Sequence, residues 1–388
     1  MDYQKLIDKF ETPLFVYDVD ALRKRVLTLK EYFKGIDLIY AIKANTYIVK
    51  EIEDIIDGYE ICSRGEFEIC DHLNIPESKM VISGVNKDDD FLTHIFSKYK
   101  NIKKMTIESL FHYELLKKYA EKENVTINAL IRLTSGNQFG VSESDFLEII
   151  NNPHPLIRIE GLQYFSGTQK TSLKKLHKEI EYINSFIDKV KGETGFIIKE
   201  VEFGPGLPVM YFEGQEFDED SFLKELVEGI KTLNAEKISC ELGRSIAASC
   251  GSYLTRVVDI KENQNGNFVI VDGGINHLVY YGQMMAMKKP PFEYFPKRDT
   301  NLINYNIYGS LCTINDIIFK NAMLTELKKG DTFVFKKTGA YSSTEGINLF
   351  LSRDLPKILL YKNNELILVR ENLKTSKINF PNYNLGGK

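Results

Sequence analysis

Lys43 lies in Tyr40-Ala41-Ile42-Lys43-Ala44-Asn45, an amine set among apolar neighbours. Partial desolvation there lowers the amine's pKa and makes it nucleophilic enough to form a Schiff base with a carbonyl. A lysine snorkelling to the rim of a domain has the same neighbours, so Lys43 alone does not decide the matter. Two further signals shift the balance. Gly204-Pro205-Gly206 lets backbone N–H groups approach an anion, although the run on its own serves equally well as a turn. Glu241, in Glu241-Leu242-Gly243-Arg244, supplies a carboxylate that would keep a pyridine nitrogen protonated and the ring an electron sink for a carbanion.

These residues need elements that bring them together. From residue 36 to about 250, short apolar runs alternate with helix-patterned stretches. The runs are Ile36–Ala44, Tyr59–Cys62, Met80–Gly84, Lys103–Ile107, Thr126–Arg132, Ile159–Phe165, Ile198–Phe203 and Lys237–Glu241. The intervening stretches carry i, i+3, i+4 apolar spacing, clearest in Leu173-Leu176-Ile180-Ile183-Phe186-Ile187-Val190. Eight such units predict an α/β fold with a closed parallel (β/α)8 barrel. Chemistry in a barrel sits where strands end. Those positions hold Lys43, Ser63-Arg64-Gly65-Glu66, Gly84, Lys87, Glu108, Arg132, Phe165-Ser166-Gly167-Thr168, Gly204–Gly206 and Glu241–Arg244. Their convergence at one rim predicts a site.

After Gly251 short strands dominate, at Tyr253–Ile260, Asn267–Val271, Asn304–Tyr308, Asp331–Phe335 and Lys357–Tyr361, with turns such as Gln264-Asn265-Gly266-Asn267. The expected organisation is a barrel over 26–250 and an all-β domain made of 1–25 and 251–388, with Leu14–Tyr17 supplying one strand. Cys312 and Tyr341 fall in that second domain, and each is uninformative alone.

Composition excludes several classes. With a net charge of −4 and 27% charged residues, nothing points to nucleic acid or an anionic membrane as partner. Five scattered cysteines form no C-x-x-C pair and no metal spacing with the six histidines, which suggests a reducing compartment. No run of about 18 apolar residues occurs, and the charged N-terminus lacks the apolar core of a signal peptide. The expected location is cytoplasmic.

Taken together, these residues resemble the fold-type III pyridoxal-phosphate decarboxylases, the family of diaminopimelate and ornithine decarboxylases, whose architecture is alanine racemase-like. The resemblance runs from Thr12-Pro13-Leu14-Phe15-Val16-Tyr17 to Gly339-Ala340-Tyr341. It includes Tyr40–Asn45, Cys62–Glu66, Gly204–Gly206, Glu241–Arg244, Asp272-Gly273-Gly274 and Cys312…Asp316. It implies pyridoxal 5'-phosphate held on Lys43 as a Schiff base, with Glu241 at the pyridine nitrogen and Phe165 against the ring. Thr168, the Gly204 and Gly206 backbone, Gly243, Arg244 and Tyr341 would hold the phosphate. It also implies a homodimer with shared sites. Cys312, the expected proton donor, would reach the partner's site with Thr313 and Asp316, and Arg132 is a further candidate for substrate.

Departures from the family pattern bear on substrate. Phe165 stands where the family has a ring-stacking histidine, and Thr313 where diaminopimelate decarboxylases carry an acidic residue. The stretch Ile275–Gln283 lacks their substrate-gripping arginine. Leaving a buried charge unpaired costs about 2–5 kcal/mol, which disfavours free diaminopimelate. With Gly282-Gln283 and Cys312-Thr313, the chain looks more like a divergent branch from siderophore and aminoglycoside-type pathways. The substrate expected from this is a modified, conjugated or carrier-bound amino acid, with Met284–Pro291 a candidate carrier contact or lid. Rival readings are meso-diaminopimelate decarboxylation in lysine biosynthesis, a racemase (disfavoured by Glu241, where that class has arginine) and a non-catalytic regulator.

Overall fold

The structure, a computed structural model, describes residues 1–381. The chain forms two compact units, one of Arg23–Val209 and Phe217–Ile246, the other of Met1–Leu22, Met210–Glu216 and the chain from Ala247 onward. The short stretch Met210–Glu216 thus groups with the second unit, although it lies inside the expected 26–250. It supplies Tyr211 and Phe212, which pack edge-on against Tyr280 of that unit. No described helix is long and apolar enough to cross a membrane.

The first unit is a closed barrel of eight parallel strands, in order Asp37–Ala41, Gly58–Ile61, Met80–Ile82, Lys104–Ile107, Ile127–Arg132, Ile157–Phe165, Glu200–Gly204 and Lys237–Leu242. The eighth strand closes on the first, with Ile39 opposite Glu241. Each strand coincides with one of the eight apolar runs, because a strand covered on both faces is apolar nearly throughout. Helices between them start on side-chain caps. Ser63 accepts from the Glu66 amide, Ser109 from His112 and Ser172 from Lys175.

The barrel's two ends differ in charge. At the strand starts, Lys104 is ion-paired with Glu200, and Lys237 lies 3.2 Å from Asp37 and 3.7 Å from Glu200. That end is internally neutralised. The polar residues at the strand ends have no such simple balance.

The second unit holds a nine-stranded mixed sheet. Gly251–Asn263 is its longest strand and pairs antiparallel with Leu14–Asp18, Gly266–Val271 and Thr332–Lys336. Leu14 and Val16 share one face through the two-residue strand period, and pack with Leu6, Leu254, Val334 and Leu359. Phe292–Phe295, Ile317–Leu324 and Glu365–Arg370 are strands that the apolar runs did not show. All three lie at sheet edges, where exposed positions dilute the alternation.

Gly161 marks the tightest approach in the barrel wall, at the register shift between the fifth and sixth strands. A Cβ there would lie 1.8 Å from the Glu200 carbonyl oxygen. Gly161→Ala is therefore expected to destabilise the protein by about 1–3 kcal/mol, read as a lower urea midpoint with unchanged slope.

Candidate active site

The strand ends of the barrel bring most of the chemistry-bearing residues to one rim. Lys43 sits in a single 3-10 turn, Ile42–Ala44, just past the first strand, with its side chain 43% exposed at the mouth. Its Nζ donates to Glu60 Oε2 at 2.5 Å and lies 3.4 Å from Cys62 Sγ. Burial by itself lowers the amine's pKa, but the Glu60 carboxylate, with Cys62 and Glu241 beyond it, raises it well above the usual lysine range. This corrects the expectation of a depressed pKa. The apolar flanks of Lys43 were visible in the sequence, whereas the acid facing it from the next strand was not.

Glu60 is the functional residue that sequence reasoning missed. It lies inside the short second strand, whose other residues are buried, and it is itself 3% exposed. A charged residue in a buried four-residue strand was the available signal. Lys43 holds the Glu60 carboxyl below its ordinary pKa against the opposing effect of burial. Lys43 must lose a proton before attacking a carbonyl, and the ionised Glu60 opposes that loss. Cys62 Sγ donates to Glu60 Oε1 at 3.2 Å, and burial pushes the thiol's pKa well up, so it stays neutral.

Glu241 lies on the eighth strand and is held by Gln163 of the sixth, whose Nε2 donates to Glu241 Oε1 and, at 2.8 Å, to Glu202 Oε1. Burial pushes the pKa of Glu241 well above the carboxylic range, and the nearby Glu60 and Glu202 charges add to the shift. Burial likewise raises Glu202.

The anion loop is built by two strand ends together. Gly206 has φ +62°, in the left-handed region, and a Cβ on it would meet the Gly167 carbonyl oxygen at 2.2 Å. The Lys170 amide donates to the Gly206 carbonyl, which ties the Phe165–Thr168 loop to the glycine turn. Gln169 secures both ends: its Nε2 donates to the Val209 carbonyl and its Oε1 accepts from the Val209 amide. Phe165 packs against Gly204, where a Cβ would be 2.4 Å from the ring. Gly243 and Arg244 follow the eighth strand, with Arg244 8% exposed at the start of a one-turn helix.

Arg132, expected at the substrate, is engaged with its own barrel. Its Nη1 donates to Glu108 Oε2 at 3.0 Å, its guanidinium stacks over Phe139, and it is 8% exposed. That charge is already committed inside the protein. Lys87 joins the same cluster, 4.0 Å from Glu108 and donating to the Gly84 carbonyl, with burial lowering its pKa to about 8.

Asp316, the other expected substrate residue, is 1% exposed, and its carboxylate accepts from the Ile275 and Leu311 amides at 2.8 and 2.7 Å. It clamps two loops of the sheet unit. Cys312 is exposed in that unit, and Thr313 Oγ accepts from the Asn315 amide. Tyr341 has φ +66°, an uncommon conformation for a residue with a side chain. In Ile275–Gln283, His277 shares hydrogen bonds with Tyr253 and the Asp354 carbonyl, and Tyr280 donates to the Lys336 carbonyl. That stretch offers no cation. Among the described residues no cluster of three or more His, Cys, Asp or Glu could hold a metal.

Comparison with known proteins agrees with this geometry. The family described as pyridoxal-dependent decarboxylase, C-terminal sheet domain, matches residues 14–339. Diaminopimelate decarboxylase of Neisseria meningitidis serogroup B is 26% identical, covering 95% of this chain and 92% of its own. The L-glutamyl-[BtrI acyl-carrier protein] decarboxylase of Niallia circulans is 25% identical, covering 94% and 92%. The structure of diaminopimelate decarboxylase from Helicobacter pylori complexed with L-lysine shares the fold with a TM-score of 0.85, at 24% identity over 97% of this chain and 98% of that one.

The Lys43–Glu60 contact makes a measurable demand. Replacing Glu60 with Gln removes the main group that keeps the amine charged. The pH at which Lys43 becomes reactive toward an amine reagent, followed by peptide mass spectrometry, should fall by about 1–3 units. An unchanged titration would mean that the ion pair does not set the state of Lys43.

Proposed function

The chain belongs to the pyridoxal-dependent decarboxylase family, and we propose that it removes CO2 from a modified, conjugated or carrier-bound amino acid in a specialised biosynthetic pathway. Pyridoxal phosphate supplies an electron sink for the electrons left when the carboxylate departs. The mouth of the barrel fits that group. Lys43 offers an amine open to the mouth, and Gln163 Oε1 is a buried polar atom with no hydrogen-bond partner among the described residues. Gly206 keeps a backbone concavity that any side chain would fill.

On this reading Lys43 attaches the cofactor, and Glu60 orients the amine through their ion pair. Glu241 faces the ring nitrogen, Phe165 packs against the ring, and Thr168, Gly204, Gly206, Gly243 and Arg244 hold the phosphate. Cys312 donates the proton that replaces CO2 in the site of a partner subunit, which requires a homodimer. Thr313 lies beside it. The proposed setting is the cytoplasm.

One observation carries the substrate assignment. Across Ile275–Gln283 the polar side chains His277 and Tyr280 are buried and spent on carbonyl groups of their own unit, and no cation stands there to pair a distal carboxylate. The carrier-linked glutamyl substrate named for the Niallia circulans relative has the kind of blocked end this would suit. Free diaminopimelate is the second reading, favoured by the name of the Neisseria meningitidis relative.

Release of labelled CO2 separates the two. A carboxyl-labelled glutamyl group on an acyl carrier protein, or another conjugate, should be used with kcat/KM at least about tenfold above free meso-diaminopimelate, a difference of about 1.4 kcal/mol. Lys43→Ala should release no label. Preference for free diaminopimelate would overturn the assignment. Absence of release from any amino acid by cofactor-loaded protein would favour a regulator.

A further inference from the structure

Glu202 has no role in the reading above, yet it is among the most deeply buried acids of the barrel, at 1% exposure. It sits opposite Gln163 across the sixth and seventh strands and opposite Ser239 across the seventh and eighth. Glu241 is two residues beyond Ser239, on the same face of its strand and one layer nearer the mouth. A single amide nitrogen, Gln163 Nε2, donates to one oxygen of each carboxyl, and Ser239 Oγ lies 3.4 Å from the other oxygen of Glu202. Among the described residues, no Lys, Arg or His nitrogen is ion-paired with either carboxyl.

Two adjacent carboxylates without a cation cannot both stay ionised away from water. We propose that Glu202 is a positioning residue for Glu241: the two carboxyls share one proton and, with Gln163, form a clamp that fixes the Glu241 carboxyl at the barrel mouth. The clamp rests on the reading of Glu241 as the partner of the ring nitrogen, but the shared proton does not depend on it. The bridging Gln163 amide supplies both carboxyls with the contact that an ion pair supplies for Glu60. Both Gln163 N–H groups are then used, and Glu241 is held from two sides before any ligand arrives. Glu202 touches neither cofactor nor substrate on this account; it acts through Glu241.

Infrared difference spectroscopy tests the proton in the whole protein with 13C-labelled glutamate. Comparison of the unaltered chain with Glu202→Gln and Glu241→Gln at neutral pH should show a protonated-carboxyl C=O band that both substitutions remove. A band that survives Glu202→Gln, or no band in the unaltered protein, overturns the shared proton. Pyridoxal phosphate affinity, followed by fluorescence, tests the positioning. Glu202→Ala should weaken binding about tenfold or more, as loss of an outer-shell partner does elsewhere. Glu202→Gln, which keeps the shape and offers an amide N–H to Glu241, should recover most of that loss. Unchanged affinity in Glu202→Ala overturns the clamp. Failure of the unaltered protein to bind pyridoxal phosphate overturns the reading of Glu241 instead.

Discussion

Glu60, Glu108, Glu202 and Glu241 line the interior near the strand ends of the barrel, and among the described residues only the first two are ion-paired. Glu60 has Lys43, and Glu108 has Arg132 with Lys87 close by. Glu202 and Glu241 have only Gln163 and each other. Buried charge is tolerated where it is paired and hydrogen-bonded, so this imbalance sets the state of every group at the mouth. Lys43 stays charged because Glu60 is ionised, and Glu241 keeps a proton because it is buried, with Glu60 and Glu202 adding to the effect. The opposite end has no such tension, since Lys104 and Lys237 neutralise Glu200 and Asp37.

The fold that holds these groups was largely legible. All eight barrel strands stood out as apolar runs because both faces of a barrel wall are covered. The sheet unit was read less completely. Phe292–Phe295, Ile317–Leu324 and Glu365–Arg370 escaped notice since their burial is partial and irregular. The helix Tyr3–Lys9 is too short for its periodicity to register, and only Leu6 is buried on it.

The site was legible as positions and less so as electrostatics. Lys43, Gly204–Gly206, Phe165, Thr168 and Arg244 were found because strand ends can be located from strand runs. Glu60, Gln163 and Glu202 were missed for one common reason. Each is a polar residue inside a strand rather than at its end, and its partner lies on a neighbouring strand distant in sequence. Glu60 meets a lysine 17 residues away, and Gln163 meets Glu241 across 78. Arg132 and Asp316 illustrate the converse. Both had suggestive positions, but only coordinates show that Glu108 and two backbone amides already occupy them.

The claim on which the rest depends is that Lys43 is the covalent anchor of pyridoxal phosphate. Borohydride reduction of the purified, cofactor-loaded protein, followed by peptide mass mapping, tests it directly. The account predicts one phosphopyridoxyl adduct, on the peptide bearing Lys43, with loss of the visible absorbance. An adduct on another lysine, or absorbance that persists with Lys43 replaced by Ala, would contradict it.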